Sequence, residues 1–258
     1  MGVEVVRKRA WITGAGKGIG RALALALAGD GWIVAASARS ENDLESLSRE
    51  AETAFGKVVA FPLDVTKPNE IANTVAAIEA EVGRLDLAVL NAGTHIPIQA
   101  WAFDAKAFRT LVETNLMGTV ECLNALLPRF IERGDGRIAV VASVAGYRGL
   151  PTAAGYGATK AALINMCEAL RPELESTGVT LQLFSPGFVD TPLARKNTFP
   201  MPFIVSAEDA AQAILKGLGR RRFEIAFPWR MAFVMKTLRI LPDWLFFAIT
   251  RRMVGERS

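Results

Sequence analysis

Short apolar runs rich in β-branched residues alternate along the chain with longer stretches whose apolar positions recur at helical spacing. The runs are AWIT (10–13), WIVAAS (32–37), KVVAFP (57–62), LDLAVLN (85–91), RIAVVAS (137–143) and VTLQLFSP (179–186). They are nearly continuously hydrophobic instead of alternating, the pattern of strands covered on both faces. Between them, segments such as GRALALALAGDG and IANTVAAIEAEVG carry apolar residues three and four apart. Strand, helix, strand in repetition predicts an α/β fold, a single doubly wound parallel sheet flanked by helices on both faces. FEIAF (223–227) is a candidate last strand, so the sheet domain is expected to cover 1–228.

Beyond residue 228 the pattern changes. The stretch WRMAFVMKTLRILPDWLFFAITRRM is rich in large apolar residues, broken at Pro242 and fenced by arginines, and predicts a helical extension of the same domain over 229–258. Lys236, Arg239, Pro242 and Asp243 fall inside about twenty residues, too many polar groups for a membrane span. Two readings stay open. Packing on the same protein or on a second subunit is favoured, because apolar helices more often belong to a core or an interface. The other is an in-plane anchor over 229–254, with Trp229, Phe233, Trp244, Phe246 and Phe247 in lipid and the arginines at anionic headgroups.

A length of 258 residues suffices for one sizeable core, and with 51% apolar residues and no long polar tract the chain is neither disordered nor collagen-like. The net charge of +4 comes from scattered bases, apart from GRRRFEI (219–225) and TRRMVGER (250–257), so a nucleic-acid groove is not expected. Cys122 and Cys167 each sit in an apolar helical stretch and read as buried reduced thiols; no metal site is expected. The start, MGVEVVRKRAWITGAG, lacks a signal-peptide core, which leads to the expectation of a cytoplasmic protein.

TGAGKGIGRALA follows the first strand and opens the first helix. Glycines at 14, 18 and 20 let backbone approach a pyrophosphate at the positive end of that helix, although a merely tight strand-to-helix turn has the same look. Tyr156 and Lys160, four residues apart in GYGATKAAL, rise on one helix face and can share a site. A nearby ammonium favours the phenolate and is expected to lower the tyrosine pKa from its ordinary value near ~10. Ser143 ends the RIAVVAS strand, at the edge where open α/β sheets bind ligands. Taken singly, the serine is also a turn former and the tyrosine a core residue with a satisfied hydroxyl.

TGAGKGIG, NAG (91–93), TNLMG (114–118), Ser143, YGATK (156–160) and PGFVDT (186–191) together resemble the short-chain dehydrogenase/reductase family in order and separation, over residues 8 to 228. The resemblance implies a Rossmann-type domain that transfers hydride between a dinucleotide and a carbonyl or alcohol. It implies cofactor contacts at Gly14, Lys17, Gly18, Ile19, Gly20, Ser37, Arg39, Asp64, Val65, Asn91, Ala92, Gly93, Tyr156, Lys160, Pro186, Gly187, Val189 and Thr191. Ala38 stands where members preferring NAD carry aspartate, and Lys17 and Arg39 match positions that read a 2′-phosphate, so NADP(H) is the expected cofactor. As solvated surface charges, the two cations would have no such role.

By the same resemblance Tyr156 exchanges the proton, Ser143 polarises the carbonyl, Lys160 holds the nicotinamide ribose and Asn115 positions a relay water. Asn115 inside ETNLMG also reads as a local helix breaker. His95, the sole histidine, reads as a loop residue near the cleft mouth rather than a catalytic one. The segment 193–209 is expected to cover an apolar substrate pocket with Phe199, Met201, Phe203 and Ile204. An apolar ketone or aldehyde, or the corresponding alcohol, is the expected substrate, and a dimer or tetramer the expected assembly. The rival class is a non-catalytic NADP(H)-binding module read by a partner, which would have no use for Ser143, Tyr156, Lys160 and Asn115 together.

Overall fold

The computed structural model describes residues 7–196 and 200–254. Each anticipated apolar run supplies one strand: β1 (Arg9–Thr13), β2 (Ile33–Ser37), β3 (Lys57–Ala60), β4 (Leu87–Leu90), β5 (Gly136–Val141), β6 (Val179–Pro186) and β7 (Glu224–Phe227). They form a seven-stranded sheet in the order β3-β2-β1-β4-β5-β6-β7, and every pairing is parallel. The connecting helices are α1 (Gly18–Gly29), α2 (Glu41–Glu50), α3 (Pro68–Glu81), α4 (Ala105–Leu111), α5 (Gly118–Glu132), α6 (Ala154–Leu174) and α7 (Ala207–Leu218). Between α4 and α5 the chain winds more widely, as a π-helical turn over Val112–Met117.

Strand hydrophobicity is continuous because each strand feeds two cores. Trp11, Ala35, Ala88, Leu90, Ile138, Val140, Leu181 and Leu183 pack on the side that holds Ile71 and Val75 of α3, Leu126 of α5 and Leu163 of α6. Their neighbours Ala10, Ile12, Val34, Ala36, Leu87, Val89, Ala139 and Phe184 face Leu23 and Leu27 of α1, Leu44 and Leu47 of α2 and Ile214 of α7. Successive side chains point to opposite faces, so a sheet covered twice needs apolar residues at every position. Cys122 and Cys167 are buried in the first of these cores, where loss of solvation pushes both thiols up to about 12.

β1 and β4 are sequence-distant neighbours at the middle of the sheet; the chain moves outward from β1 through β2 to β3, then from β4 through to β7. Their loops therefore leave the carboxyl edge in opposite directions, and a crevice opens between them.

The C-terminal stretch forms α8 (Trp229–Ile240) and α9 (Asp243–Arg251), parted at Pro242. Met231 and Met235 of α8 enter the first core, and Phe246 and Thr250 of α9 are buried. Arg148 clamps the junction. One of its terminal nitrogens donates to the carbonyls of Leu238 (2.9 Å), Arg239 (3.2 Å) and Leu241 (2.6 Å), the last orphan acceptors of α8. The other reaches Asp243 Oδ1 at 2.5 Å, and the guanidinium lies 4.0 Å from the Phe246 ring centre. Among the described residues no helix is long and apolar enough to cross a membrane.

Arg148→Ala leaves several of these carbonyls without a charged donor. It is expected to cost about 1–3 kcal/mol in urea unfolding and to speed proteolytic cleavage near residue 242. Unchanged stability and cleavage would show that the clamp holds nothing.

Candidate active site

The start of α1 lies at the crevice and is built for an anion. Lys17 precedes the helix with no side-chain cap, and no acidic residue occupies the first turn, so the leading amides stay available. The glycines are forced by space. Gly18 has φ 55°, and a Cβ there would sit 2.8 Å from Thr191 Cγ2; at Gly20 it would lie 2.4 Å from the Gly14 carbonyl oxygen. Ile19, between them, faces a cavity of about 740 Å³.

That cavity is walled mainly by apolar side chains: Val144, Leu150, Phe188 and Val189 from loops beyond the carboxyl edge, and Met231, Val234, Met235 and Leu238 from α8. Ser143, Tyr156, Lys160, Asn91, Gly93, Pro186, Gly187 and Thr191 also line it. From the cover segment, Leu193, Pro200, Pro202 and Phe203 contribute, whereas Met201 and Ile204 are not part of the wall and Phe199 lies outside the described residues. Two non-glycine residues have left-handed backbone among the described residues, Thr152 (φ 63°) and Phe203 (φ 58°), and both face this cavity. Local strain held by surrounding structure is a common attribute of ligand clamps.

Ser143 follows β5, donates to the Pro186 carbonyl (3.3 Å) and accepts from Ala145 N (3.1 Å). Tyr156 and Lys160 project from the first two turns of α6, and the Lys160 Nζ lies 5.7 Å from the Tyr156 ring centre. The ammonium donates to the Val141 carbonyl at 2.9 Å. Burial lowers the Lys160 pKa to about 8. Burial also raises Tyr156 above its ordinary value, and hydrogen bonding from the Ser143 hydroxyl opposes the rise without cancelling it. The expected lowering of the tyrosine is therefore reversed. Desolvation sets the direction, and the Lys160 ammonium is engaged by the end of β5.

Asn115 sits in the π-helical turn, fully buried. Its Oδ1 accepts from Thr94 N (2.7 Å), and its Nδ2 donates to the Thr94 carbonyl (3.0 Å) and Thr159 Oγ1 (3.1 Å). The side chain thus ties the loop after β4 to α6 and does not point into the cleft. Gly93 lies beside it; a Cβ there would be 3.4 Å from Asn115 Oδ1 and 3.7 Å from Lys160 Nζ. Thr159, which accepts from Asn115, was not among the expected site residues, whereas His95 was expected near the cleft mouth without a catalytic part. His95 is buried against the edge of Tyr156, ring centres 5.0 Å apart, deeper than the cleft mouth.

On the far side of the glycine turn, Arg39 is exposed beyond β2 and Lys17 pairs with Asp43 Oδ2 at 3.3 Å. Asp64 is pushed up by partial burial, but hydrogen bonds from Thr66 and the charges of Arg39 and Lys67 hold it below the usual carboxylate range. Val65 packs on the first residue of α5, where a Gly118 Cβ would come within 2.8 Å of it. Ser37 departs from expectation: its hydroxyl is buried and accepts from the Trp11 indole at 2.9 Å, on the core side of the sheet. Asn91 Nδ2 donates to the carbonyls of Thr13 (3.1 Å) and Gly14 (3.2 Å), and Ala92 N donates to Thr13 Oγ1 (3.1 Å), so both brace the turn.

A parallel doubly wound sheet with a glycine turn at its switch point defines the dinucleotide-binding class of α/β fold. Within that class the chain belongs to the short chain dehydrogenase family, whose profile matches residues 8–200. An uncharacterized oxidoreductase of Myxococcus xanthus is 40% identical over 250 residues, covering 97% of this chain and 99% of that protein. An alcohol dehydrogenase of Thermococcus sibiricus complexed with 5-hydroxy-NADP superposes with a TM-score of 0.78 at 28% identity, over 86% of this chain and 96% of that one. An actinorhodin polyketide ketoreductase with NADPH superposes with a TM-score of 0.79, also at 28% identity, over 86% and 95%.

Lys160 gives this site a pH signature. Its folded pKa of about 8 lies below the ordinary 10.5, so between these values the unfolded chain holds more proton than the folded one. Stability of the ligand-free protein gained from releasing that proton is absent below pH 8 and grows as pH rises through this window. Urea midpoints at pH 7 and about pH 9.5 are expected to show this rise in the wild type relative to Lys160→Met; parallel profiles would overturn it.

Proposed function

We propose that this chain is an NADP(H)-dependent carbonyl reductase acting on apolar ketones or aldehydes, and on the corresponding alcohols in reverse. The observation that carries the reading is the meeting of Ser143, Tyr156 and Lys160 at the wall of an apolar cavity of about 740 Å³, beside an uncapped helix start. The cradle of Gly14, Gly18 and Gly20, which admits no Cβ, fits a dinucleotide pyrophosphate. Val189 and Thr191, at the exit of β6, fit the nicotinamide end, and Lys160 the adjoining ribose. Bound there, the reduced dinucleotide supplies a hydride to the carbonyl carbon.

Tyr156 passes its hydroxyl proton to the carbonyl oxygen, and the C=O group becomes CH–OH. A phenol held above its ordinary pKa stays protonated at neutral pH, the form a proton donor needs. Ser143 donates to the same oxygen as charge develops on it, a shift of its hydrogen bond from the Pro186 carbonyl. Lys160 keeps a cation beneath the phenol, and Asn115 fixes the loop and helix that set this geometry. The apolar wall excludes water and selects an apolar carbonyl.

With a panel of apolar ketones and NADPH, Tyr156→Phe is expected to lower turnover roughly 10²–10⁴-fold while dinucleotide binding persists. Full turnover in that variant would remove Tyr156 from the mechanism.

The 2′-phosphate is assigned to Lys17 and Arg39, and the ligands of the two solved relatives, 5-hydroxy-NADP and NADPH, support that choice. Arg39→Asp combined with Lys17→Ala is expected to weaken NADPH roughly 100-fold while leaving NADH nearly unchanged. Asp43 competes for Lys17, so Asp43→Asn is expected to tighten NADPH by roughly twofold to fivefold. Equal losses of both dinucleotides in the double variant would show that these cations do not read the phosphate.

A further inference from the structure

We propose that the outer faces of α8 and α9 dock on an anionic lipid surface. Trp229 (71% exposed), Phe233 (67%) and Ile240 (81%) lie within about 40° of one another around α8, opposite the buried Met231 and Met235. On α9 the exposed Trp244 (73%) and Phe247 (53%) likewise lie away from buried Phe246 and Thr250. An apolar stripe on each of two consecutive helices is more than the scattered exposed residues of an ordinary surface. Phe203 of the cover segment joins it, because the Arg230 guanidinium lies 6.0 Å from its ring centre and 5.6 Å from that of Trp229.

Charge selects the occupant. Arg230 and Arg239 border the α8 stripe on its two sides, and Arg251 lies on the exposed face of α9. Among the described residues no carboxylate is within ion-pair distance of these three or of Arg252. The one acid of α8 and α9, Asp243, is held by Arg148. A two-fold contact between copies would bring this face against itself and oppose unpaired arginines to arginines. A bilayer bearing anionic headgroups offers the complement: aromatic rings lie at the headgroup level and guanidinium groups meet the lipid charge. Neither helix can span, so both lie in the plane of the surface. Ile249, Arg252 and Met253 line the cavity from the side of α9 away from its exposed stripe, so the docking helix is also part of the cavity wall.

The test is co-sedimentation of the full chain with phosphatidylcholine vesicles, with and without one third phosphatidylglycerol. Binding is expected only to the anionic vesicles and to fall as salt rises. Phe233→Ser with Trp244→Ser should weaken it at least about tenfold, since both rings leave the lipid. Arg239→Gln with Arg251→Gln should weaken it roughly 25-fold, about fivefold for each charge. Far-ultraviolet circular dichroism and urea midpoints should match the wild type in both pairs, because all four side chains are exposed. Absence of binding, equal binding to neutral vesicles, or binding untouched in both pairs would overturn the proposal. So would a dimer in sedimentation velocity that the serine pair dissociates, which would assign the face to a second copy.

Discussion

The site hangs on a stitch of four hydrogen bonds between the ends of β1 and β4. The ladder between these strands stops at Ile12 and Val89, and beyond it Thr13 Oγ1 accepts from the amides of Asn91 (3.0 Å) and Ala92 (3.1 Å). Asn91 Nδ2 returns to the carbonyls of Thr13 and Gly14. The strands are thereby joined where their loops must diverge. Gly14, at φ 68°, has Ala92 Cα 2.8 Å from where a Cβ would stand, so the first loop folds directly over the second. Position passes on from there: the glycine turn aims α1, and Thr94 beyond the stitch meets Asn115, which holds Thr159 of α6. With each net hydrogen bond contributing about 0.5–1.5 kcal/mol, the stitch adds only a modest stability. Its larger effect is geometric.

A second polar joint organises the opposite wall of the cavity. Glu224 of β7 accepts from Tyr147, from Ser185 of β6 (2.8 Å) and from Lys236 of α8 (2.9 Å). Burial pushes its carboxyl up, but these donors and the charge of Lys236 hold it below the usual carboxylate range; burial and the carboxylate push Tyr147 up. One carboxylate therefore fastens the last strand to the helix that supplies Met231, Met235 and Leu238 to the cavity. Arg148 does the same for the end of that helix, one residue along the chain from Tyr147.

The sheet was legible in the sequence because two-sided burial leaves a local trace, an unbroken apolar run, at each strand. Ser143 at a strand end and Tyr156 with Lys160 as an i, i+4 pair were each legible from local pattern, and the family resemblance joined them into one group. Whatever depends on a partner far along the chain was not. The phenol pKa is set by enclosure, against the opposing hydrogen bond of Ser143, and that enclosure is not marked in the sequence near Tyr156. Ser37 looked available at a strand end, yet its register opposite Thr13 turns the hydroxyl toward the Trp11 indole. Asp43 beside Lys17 and Arg148 beneath α8 were ordinary charged residues until the fold brought them 26 and about 90 positions across the sequence, distances no periodic pattern encodes.

The place of β1 at the centre of the sheet also has a kinetic side. Its partners are β2, which follows within a few turns of helix, and β4, which ends at residue 90. At about 5–20 residues per second, the stretch from residue 13 to residue 90 takes roughly 4 to 15 s to synthesise. During that interval one edge of the strand carrying Trp11 and Ile12 has no ladder to close it, and an unpaired apolar edge invites association with other chains. The same central strand that anchors the finished crevice is left with one open edge until β4 emerges.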